Sequence, residues 1–226
     1  MVIRLLLIGH GRMGRLVESL APEYGMEIAG IVGRAASGDP GGWPPADVAI
    51  DFSTADAVPR NLSALASRGT SVVIGTTGWQ AAEPDARAIA AQAGIGVVAA
   101  PNFAAGVLVF AALAEYAAGL MKEQAAFGGW IHELHHAAKR DAPSGTALHL
   151  EAALRRGGWE RPLDIASTRA GSIPGTHTIG FDSPGETITL THAARDRSPF
   201  ARGALEAARW VHGRRGWFSM RDVMGI

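Results

Sequence analysis

His132, His135, His136 and Lys139 fall within eight residues of a 226-residue chain, three imidazoles around a rare lysine. Lysine is otherwise scarce: Lys122 and Lys139 stand against 19 arginines. An ammonium can give up its proton near neutral pH when its surroundings are tuned, and a guanidinium cannot. Lys139 is therefore a candidate proton donor or carboxylate-binding cation. Imidazole titrates in the same range, so His135 is a candidate for moving a proton and His136 a further source of positive charge. Ser144, Gly145 and Thr146 precede Ala147-Leu148-His149-Leu150 and read as a helix start, with Pro143 setting the entry. The free N–H groups and positive dipole end of such a start suit a carboxylate.

His132 to His136 also match H-E-x-x-H, the zinc-peptidase pattern, whose chemistry requires both outer histidines on one face of a helix. Here Gly128-Gly129 precede, and Trp130-Ile131 favour a strand. In a strand, positions four apart lie roughly 13 Å from each other, too far to share one ion. No metal site is expected.

The elements that must carry these residues follow from the apolar pattern. Short apolar runs at Val2–Ile8, Glu27–Val32, Val48–Phe52, Ser71–Ile74 and Gly96–Ala100 read as buried strands. Helical spacing over Met13–Leu20, Ala55–Ser67 and Ala81–Ala93 separates them, which implies a parallel sheet covered on both faces. The Gly- and Pro-rich stretch from Arg34 to Ala46 reads as a bare loop. Beyond a buried helix at Phe103–Met121 the character changes. Phe127–His136, Asp164–Arg169, His177–Phe181 and Glu186–His192 are strand-like, one helix spans Gly145–Arg156, and an open mixed or antiparallel sheet is expected. The Ala-rich helix Phe200–Arg214 is expected to return to the first domain.

Gly9-His10-Gly11-Arg12-Met13-Gly14 is Gly-x-Gly-x-x-Gly directly after the first strand and opening the first helix. That context turns a weak pattern into a specific one: the glycines allow a tight turn and bring backbone N–H groups to a pyrophosphate. Sites that prefer NAD place an acid at the end of the second strand. Ile31-Val32-Gly33-Arg34 offers none, while Arg34 suits a 2′-phosphate, so NADPH is the expected cofactor, with NADH possible. Gly75-Thr76-Thr77-Gly78 and Pro101-Asn102-Phe103 follow the fourth and fifth strands, where loops line the ligand crevice.

Composition removes other classes. Acidic and basic residues balance at 21 each and no basic block occurs, so neither nucleic acid nor an anionic membrane is expected as a partner. The absence of cysteine excludes disulfides and thiolate metal sites and fits a reducing compartment, so a cytoplasmic location is expected. The apolar start, Met1 to Ile8, is too short for a signal peptide and runs into a glycine turn. Phe103–Met121 carries Glu115 and is not expected to span a membrane.

Taken together, the segment Glu133 to Ala147 resembles the signature of the 4-hydroxy-tetrahydrodipicolinate (formerly dihydrodipicolinate) reductase family. Gly11 to Gly14, Ile50-Asp51-Phe52-Ser53, Val73 to Trp79, Pro101-Asn102-Phe103, Thr168 to Gly171, Gly175-Thr176-His177 and Thr191-His192-Ala193 match in order. Arg197, Phe200-Ala201 and Gly203-Ala204 extend the resemblance over nearly the whole chain. It implies an α/β protein: an N-terminal Rossmann-type doubly wound parallel sheet plus a C-terminal α+β domain with an open mixed sheet. The dinucleotide-binding domain would be 1–103, completed by 198–226, and 104–197 would bind substrate and form a homotetramer.

The implied reaction is NAD(P)H-dependent reduction of 4-hydroxy-tetrahydrodipicolinate to tetrahydrodipicolinate in the diaminopimelate route to lysine. By the match, His135 falls on the proton donor/acceptor and Lys139 on a second proton donor. His136 and Gly145-Thr146, with the neighbouring Ser144, fall on contacts to a small dicarboxylate substrate. Gly9, His10, Gly11, Arg12, Met13, Gly14, Arg34, Phe52, Gly75, Thr76, Thr77, Ala100, Pro101, Asn102 and Phe103 fall on cofactor contacts. Two rivals keep the glycine turn: another two-domain NAD(P)-dependent amino or imino acid dehydrogenase, and a dinucleotide sensor without catalysis. Neither has a reason for His-His-x-x-Lys followed by Ser-Gly-Thr.

Overall fold

The computed structural model describes residues 2–33 and 40–226. Two compact units form, one from Met1–Ala105 with Ser198–Ile226 and the other from Gly106–Arg197.

In the first unit, β1 (Ile3–Ile8), β3 (Val48–Asp51), β4 (Ser71–Ile74) and β5 (Gly96–Ala99) are apolar on both faces and almost wholly buried. Runs of this kind are stable only with helices over both sides of the sheet. The strands pair in parallel in the order β10-β5-β4-β3-β1-β2, with β2 (Met26–Val32) and β10 (Gly216–Phe218) at the edges. Leu6, Ile8, Ala49, Val72, Ile74 and Val97 meet Leu62 and Leu65 of α2 (Val58–Ala66) and Ala86 and Ala90 of α3 (Glu83–Ala93). Alternate strand residues face the other way, where α6 (Ser198–Val211) packs on β3, β4 and β5 beside α1 (Arg12–Leu20). Its fully buried Ala201, Ala204, Ala207 and Ala208 let the helix lie close to the sheet.

All six strands run one way, so their carboxyl ends and following loops share one edge. Each loop begins on an amide bonded to a neighbouring strand. Gly9 donates to the Val32 carbonyl (2.9 Å), Phe52 to Ile8 (2.8 Å), Gly75 to Asp51 (2.9 Å) and Ala100 to Ile74 (3.2 Å).

In the second unit, β6 (Gly128–His135) and β7 (Leu163–Arg169) are parallel, while β8 (Gly175–Asp182) and β9 (Thr187–Ala194) continue antiparallel in the order β7-β6-β8-β9. The sheet is mixed. Phe110, Ala111, Ala114 and Ala118 of α4 (Ala105–Met121) and Leu150, Ala153 and Leu154 of α5 (Gly145–Arg156) form its core with Ile131, Trp159, Ile179 and Phe181.

Several boundaries differ from the sequence reading. Helix α2 begins at Val58 rather than Ala55, because Asp51 accepts from the amide and hydroxyl of Ser53 and Ala57 closes a turn onto Thr54. Helix α4 begins at Ala105 rather than Phe103, because Asn102 Oδ1 accepts the Ala104 amide at 2.9 Å. The stretch read as a bare loop is not bare in its described part: Pro40–Gly42 form a 3-10 turn and Trp43 is buried. Arg68 fixes it through the carbonyls of Pro40, Gly41 and Trp43. The short β10 and α7 (Met220–Met224) were not expected. Among the described residues, no helix is long and apolar enough to cross a membrane.

Candidate active site

The pairing register of the second unit arranges the helix-facing side of its sheet in rows. Ile165, Ile131, Ile179 and Leu190 form one apolar row across the four strands. Two residues further along β6 the next row is polar: Ser167, Glu133, His177 and His192. A further step reaches His135, opposite Arg169. Side chains alternate faces in a strand, so Glu133 and His135 share this side, whereas His132 lies on the other. There His132 Nε2 sits 3.0 Å from the Thr168 hydroxyl. The zinc-peptidase pattern is not formed, because it requires a helix and His132 to His135 lie in a strand, with His132 and Glu133 on opposite faces.

Glu133 is the hub. Its carboxylate is fully buried, and Oε1 accepts from the Ser144 amide (2.9 Å), the Ser167 hydroxyl (2.7 Å) and Arg169 Nη2 (2.7 Å). Burial by itself would raise the carboxyl pKa. The bonds from Ser144, Ser167 and Arg169 together outweigh it and hold the group at about 2. Oε2 lies 3.5 Å from both His135 Nδ1 and His177 Nε2. His177 is buried with its ring edge-on to His135, the centroids 5.0 Å apart. Burial first, then the neighbouring His135, push His177 down to about 4. Burial also lowers His135, opposed by the Glu133 charge and reinforced by Lys139 and Arg169.

Glu133, His135 and His177 place one potential ligand atom each within 4.8 Å of one another. Their surroundings do not fit a metal ion. Three donors already fill Oε1, and the Arg169 guanidinium supplies the counter-charge that a cation would bring.

Lys139 follows β6 in a short turn, its amide bonded to the His136 carbonyl at 3.1 Å. Its Nζ grips both oxygens of exposed Asp141, at 2.7 and 2.9 Å. The lysine bonds and partial burial have opposite effects on Asp141, and the bonds prevail, so its pKa is lowered. Ser144 is the N-cap of α5, accepting the Ala147 amide at 3.2 Å, and its hydroxyl lies 3.1 Å from His177 Nε2. The helix start at Gly145 and Thr146 is thus tied to the same hub as His135. No acid stands in its first turn.

In the first unit the three glycines of the turn have different physical duties. Gly9 has φ +92°, and a Cβ there would lie 2.3 Å from the Phe52 carbonyl oxygen. A Cβ on Gly14 would lie 2.1 Å from the Gly9 carbonyl oxygen, so α1 touches the turn only because this residue has no side chain. Gly11 faces open space and caps α1 without a side-chain bond, and the first turn contains no acid. Open space over uncapped amides fits a phosphate-bearing ligand. Arg12 and Met13 open the helix, and His10 Nε2 meets Glu18 Oε2 at 2.7 Å.

The other loops on that edge are built around buried Asp51. It accepts from Ser53, Asn61 (2.8 Å) and the Thr76 hydroxyl (3.1 Å), so Thr76 points inward while Thr77 is exposed. Gly75 lies against the Phe52 ring, which a Cβ would strike at 2.1 Å. Phe52 packs edge-on against buried Phe103 at 6.3 Å, so Phe103 offers its ring to the core. Ala100, Pro101 and Asn102 lie between β5 and α4, with Pro101 exposed. Arg34 lies outside the described residues.

Sequence reasoning gave no part to Arg169, Ser167, His177 or Gly175, and considered Glu133 only within the zinc pattern. One signal was present: an acid two residues before His135 on a strand must share its face. The partners from β7 and β8 carry no local signal.

Comparison with known proteins agrees with this architecture. A family model for dihydrodipicolinate reductase, N-terminus, matches residues 3–103, and one for its C-terminus matches 106–224. The 4-hydroxy-tetrahydrodipicolinate reductase of Stenotrophomonas maltophilia is 43% identical over 242 residues, covering 98% of each chain. That of Acidiphilium cryptum is 41% identical over 241 residues, covering 96% of this chain and 94% of its own. Among solved structures, a dipicolinate-bound dihydrodipicolinate reductase from Paenisporosarcina superposes with a TM-score of 0.80 at 22% identity, covering 97% of this chain and 98% of its own. An amine dehydrogenase from Mycobacterium smegmatis shares the fold alone, with a TM-score of 0.66 at 9% identity. With the two family models together matching residues 3–103 and 106–224, and relatives above 40% identity covering 96–98% of it, this chain belongs to the dihydrodipicolinate reductase family.

Proposed function

We propose that this chain reduces 4-hydroxy-tetrahydrodipicolinate to tetrahydrodipicolinate with a nicotinamide dinucleotide, as its 43%-identical relative is named to do. The observation that carries the proposal is that the α5 start is bonded to buried Glu133 while His135 Nδ1 lies 3.5 Å from the same carboxylate, with Lys139 four residues beyond His135. Substrate and product differ by a hydroxyl replaced with hydrogen, so a hydride and a proton enter and one water leaves. A bound dinucleotide supplies the hydride. His135 handles the proton, and Lys139 supplies a second proton or holds a carboxylate. His136, Ser144 and the amides of Gly145 and Thr146 hold a carboxylate at the positive end of α5. The dipicolinate bound by the Paenisporosarcina protein is a dicarboxylate of the same class.

The dinucleotide falls to residues 1–103 with 198–226, over Gly9 to Gly14, Phe52, Gly75 to Thr77 and Ala100 to Phe103. Substrate and subunit contacts fall to 104–197, in a cytoplasmic homotetramer. Gly33 where an acid would select NADH, followed by Arg34, supports a preference for NADPH. The test is oxidation of NADPH and of NADH by the purified protein, with substrate freshly generated by the preceding synthase. Rapid oxidation with a higher kcat/KM for NADPH is expected. Folded, dinucleotide-binding protein that oxidises neither would overturn the activity, and a higher kcat/KM for NADH would overturn the preference alone.

A further inference from the structure

We propose that Glu133 is a positioning residue for proton transfer: its Oε2 takes the Nδ1 proton of His135, so that Nε2 is the nitrogen presented to substrate. This rests on the role of His135 proposed above. Glu133 Oε2 and His135 Nδ1 are both buried, both without a hydrogen bond among the described residues, and 3.5 Å apart. Buried polar atoms are almost always paired in folded proteins. A hydrogen bond between them satisfies both at once.

Two neighbours direct that bond to His135 rather than elsewhere. Oε1 is saturated by Ser144, Ser167 and Arg169, which fixes the carboxylate plane and leaves Oε2 as its free edge. His177 Nε2, at the same 3.5 Å from Oε2, also interacts with it, but that nitrogen already has the Ser144 hydroxyl at 3.1 Å, whereas His135 Nδ1 has no other partner among the described residues. On the far side of the His135 ring stands Gly175. A Cβ there would lie 3.2 Å from Nε2 and 3.3 Å from Cδ2, so the missing side chain keeps that nitrogen clear.

The charges around the ring are balanced, which lets it gain and lose a proton without stranding a charge. Glu133 on β6 pairs with Arg169 on β7, and Lys139 pairs with Asp141 after β6. From β8 His177 faces the ring, and His192 on β9 acts on His177. Replacing the Glu133 carboxylate by an amide removes the nearest negative charge, leaves Arg169 without its ion-pair partner and lowers the proton affinity of His135.

The test uses Glu133→Gln, with the double variant Glu133→Gln/Arg169→Met in case a stranded guanidinium prevents folding. Nitrogen-15 NMR of the imidazoles reads the tautomer without any assay. The expected result is His135 protonated at Nδ1 in the parent protein and at Nε2 in the folded variant. In the reductase assay, kcat is expected to fall at least tenfold with substrate KM within about threefold, and the alkaline limb of the kcat profile to move to lower pH. A parent His135 protonated at Nε2, or variants with unchanged tautomer and pH profile, would overturn the proposal. So would stoichiometric metal bound at Glu133, His135 and His177. A parent protein with the expected tautomer but no reductase activity would refute the assigned reaction and leave the positioning role standing.

Discussion

Arg169 Nη2 lies 2.7 Å from Oε1 of Glu133, whose carboxylate is wholly buried at the centre of a four-stranded sheet. Each charge is tolerable there only because of the other. Removing one partner of a buried pair typically costs about 3–5 kcal/mol, more than the pair contributes over an apolar replacement. Arg169→Met is therefore expected to destabilise the fold by that order in denaturant titration at pH 7. The deficit should shrink as pH falls and the stranded carboxyl takes up a proton. A deficit under about 1 kcal/mol at pH 7 would show that Glu133 does not depend on this cation.

His177 predicts a pH dependence of opposite chemical origin. Its folded pKa of about 4 lies below the ordinary 6.5, so the unfolded chain binds the proton more readily between those values. Its contribution is complete above pH 6.5 and is lost as pH falls toward 4, on the order of 3 kcal/mol. Glu133, held at about 2 against 4.5, adds a further loss only below pH 4.5. Chemical denaturation from pH 7 to pH 4 should show a steep fall for the parent protein and a flatter one for His177→Gln. Parallel curves would remove His177 as the cause.

The glycine turn allows stability and ligand binding to be separated. Gly14→Ala drives a methyl against the Gly9 carbonyl, so both the melting temperature and dinucleotide affinity should fall. Gly11→Ala meets nothing within 4 Å and should cost less than about 1 kcal/mol of stability, while still weakening dinucleotide binding. Calorimetric titration with thermal melts decides. Unchanged affinity in Gly11→Ala would mean that no phosphate approaches this helix end.

His135→Gln and Lys139→Ala should each lower kcat by about a hundredfold or more if their side chains transfer protons. Lys139→Arg is informative beside them, since it keeps the charge and removes the ability to give up a proton near neutral pH. Recovery of most of the turnover by arginine would make Lys139 a carboxylate anchor only. Near-parental turnover in His135→Gln would remove it from the chemistry.

Local pattern was enough for much of this molecule. Runs such as Leu5–Ile8 and Val72–Ile74 are too apolar for anything but strands buried on both faces. The glycine turn between Ile8 and Arg12 reports its own conformation, because only glycine tolerates φ +92° against a neighbouring carbonyl. The strand reading of Trp130-Ile131 likewise removed the zinc-peptidase pattern, because positions four apart in a strand are too far from each other to share one ion.

Register and packing decided the rest. Gly216–Phe218 is too short to declare itself and becomes a strand only by pairing with the exposed edge of β5. Thr76 reads as a residue for a ligand, yet its hydroxyl turns inward to Asp51, and the Phe103 ring joins Phe52. Arg169 and Glu133 are 36 residues apart, and no periodicity within β6 or β7 sets how the two strands align. The sequence by itself determined the longer buried strands and the glycine turn, and offered His135 and Lys139 as candidates for moving protons, because those depend on local sterics, repeat and side-chain chemistry. Only the tertiary structure decided what holds the Glu133 carboxylate beside His135, because Ser167 and Arg169 reach it solely through the alignment of β7 with β6.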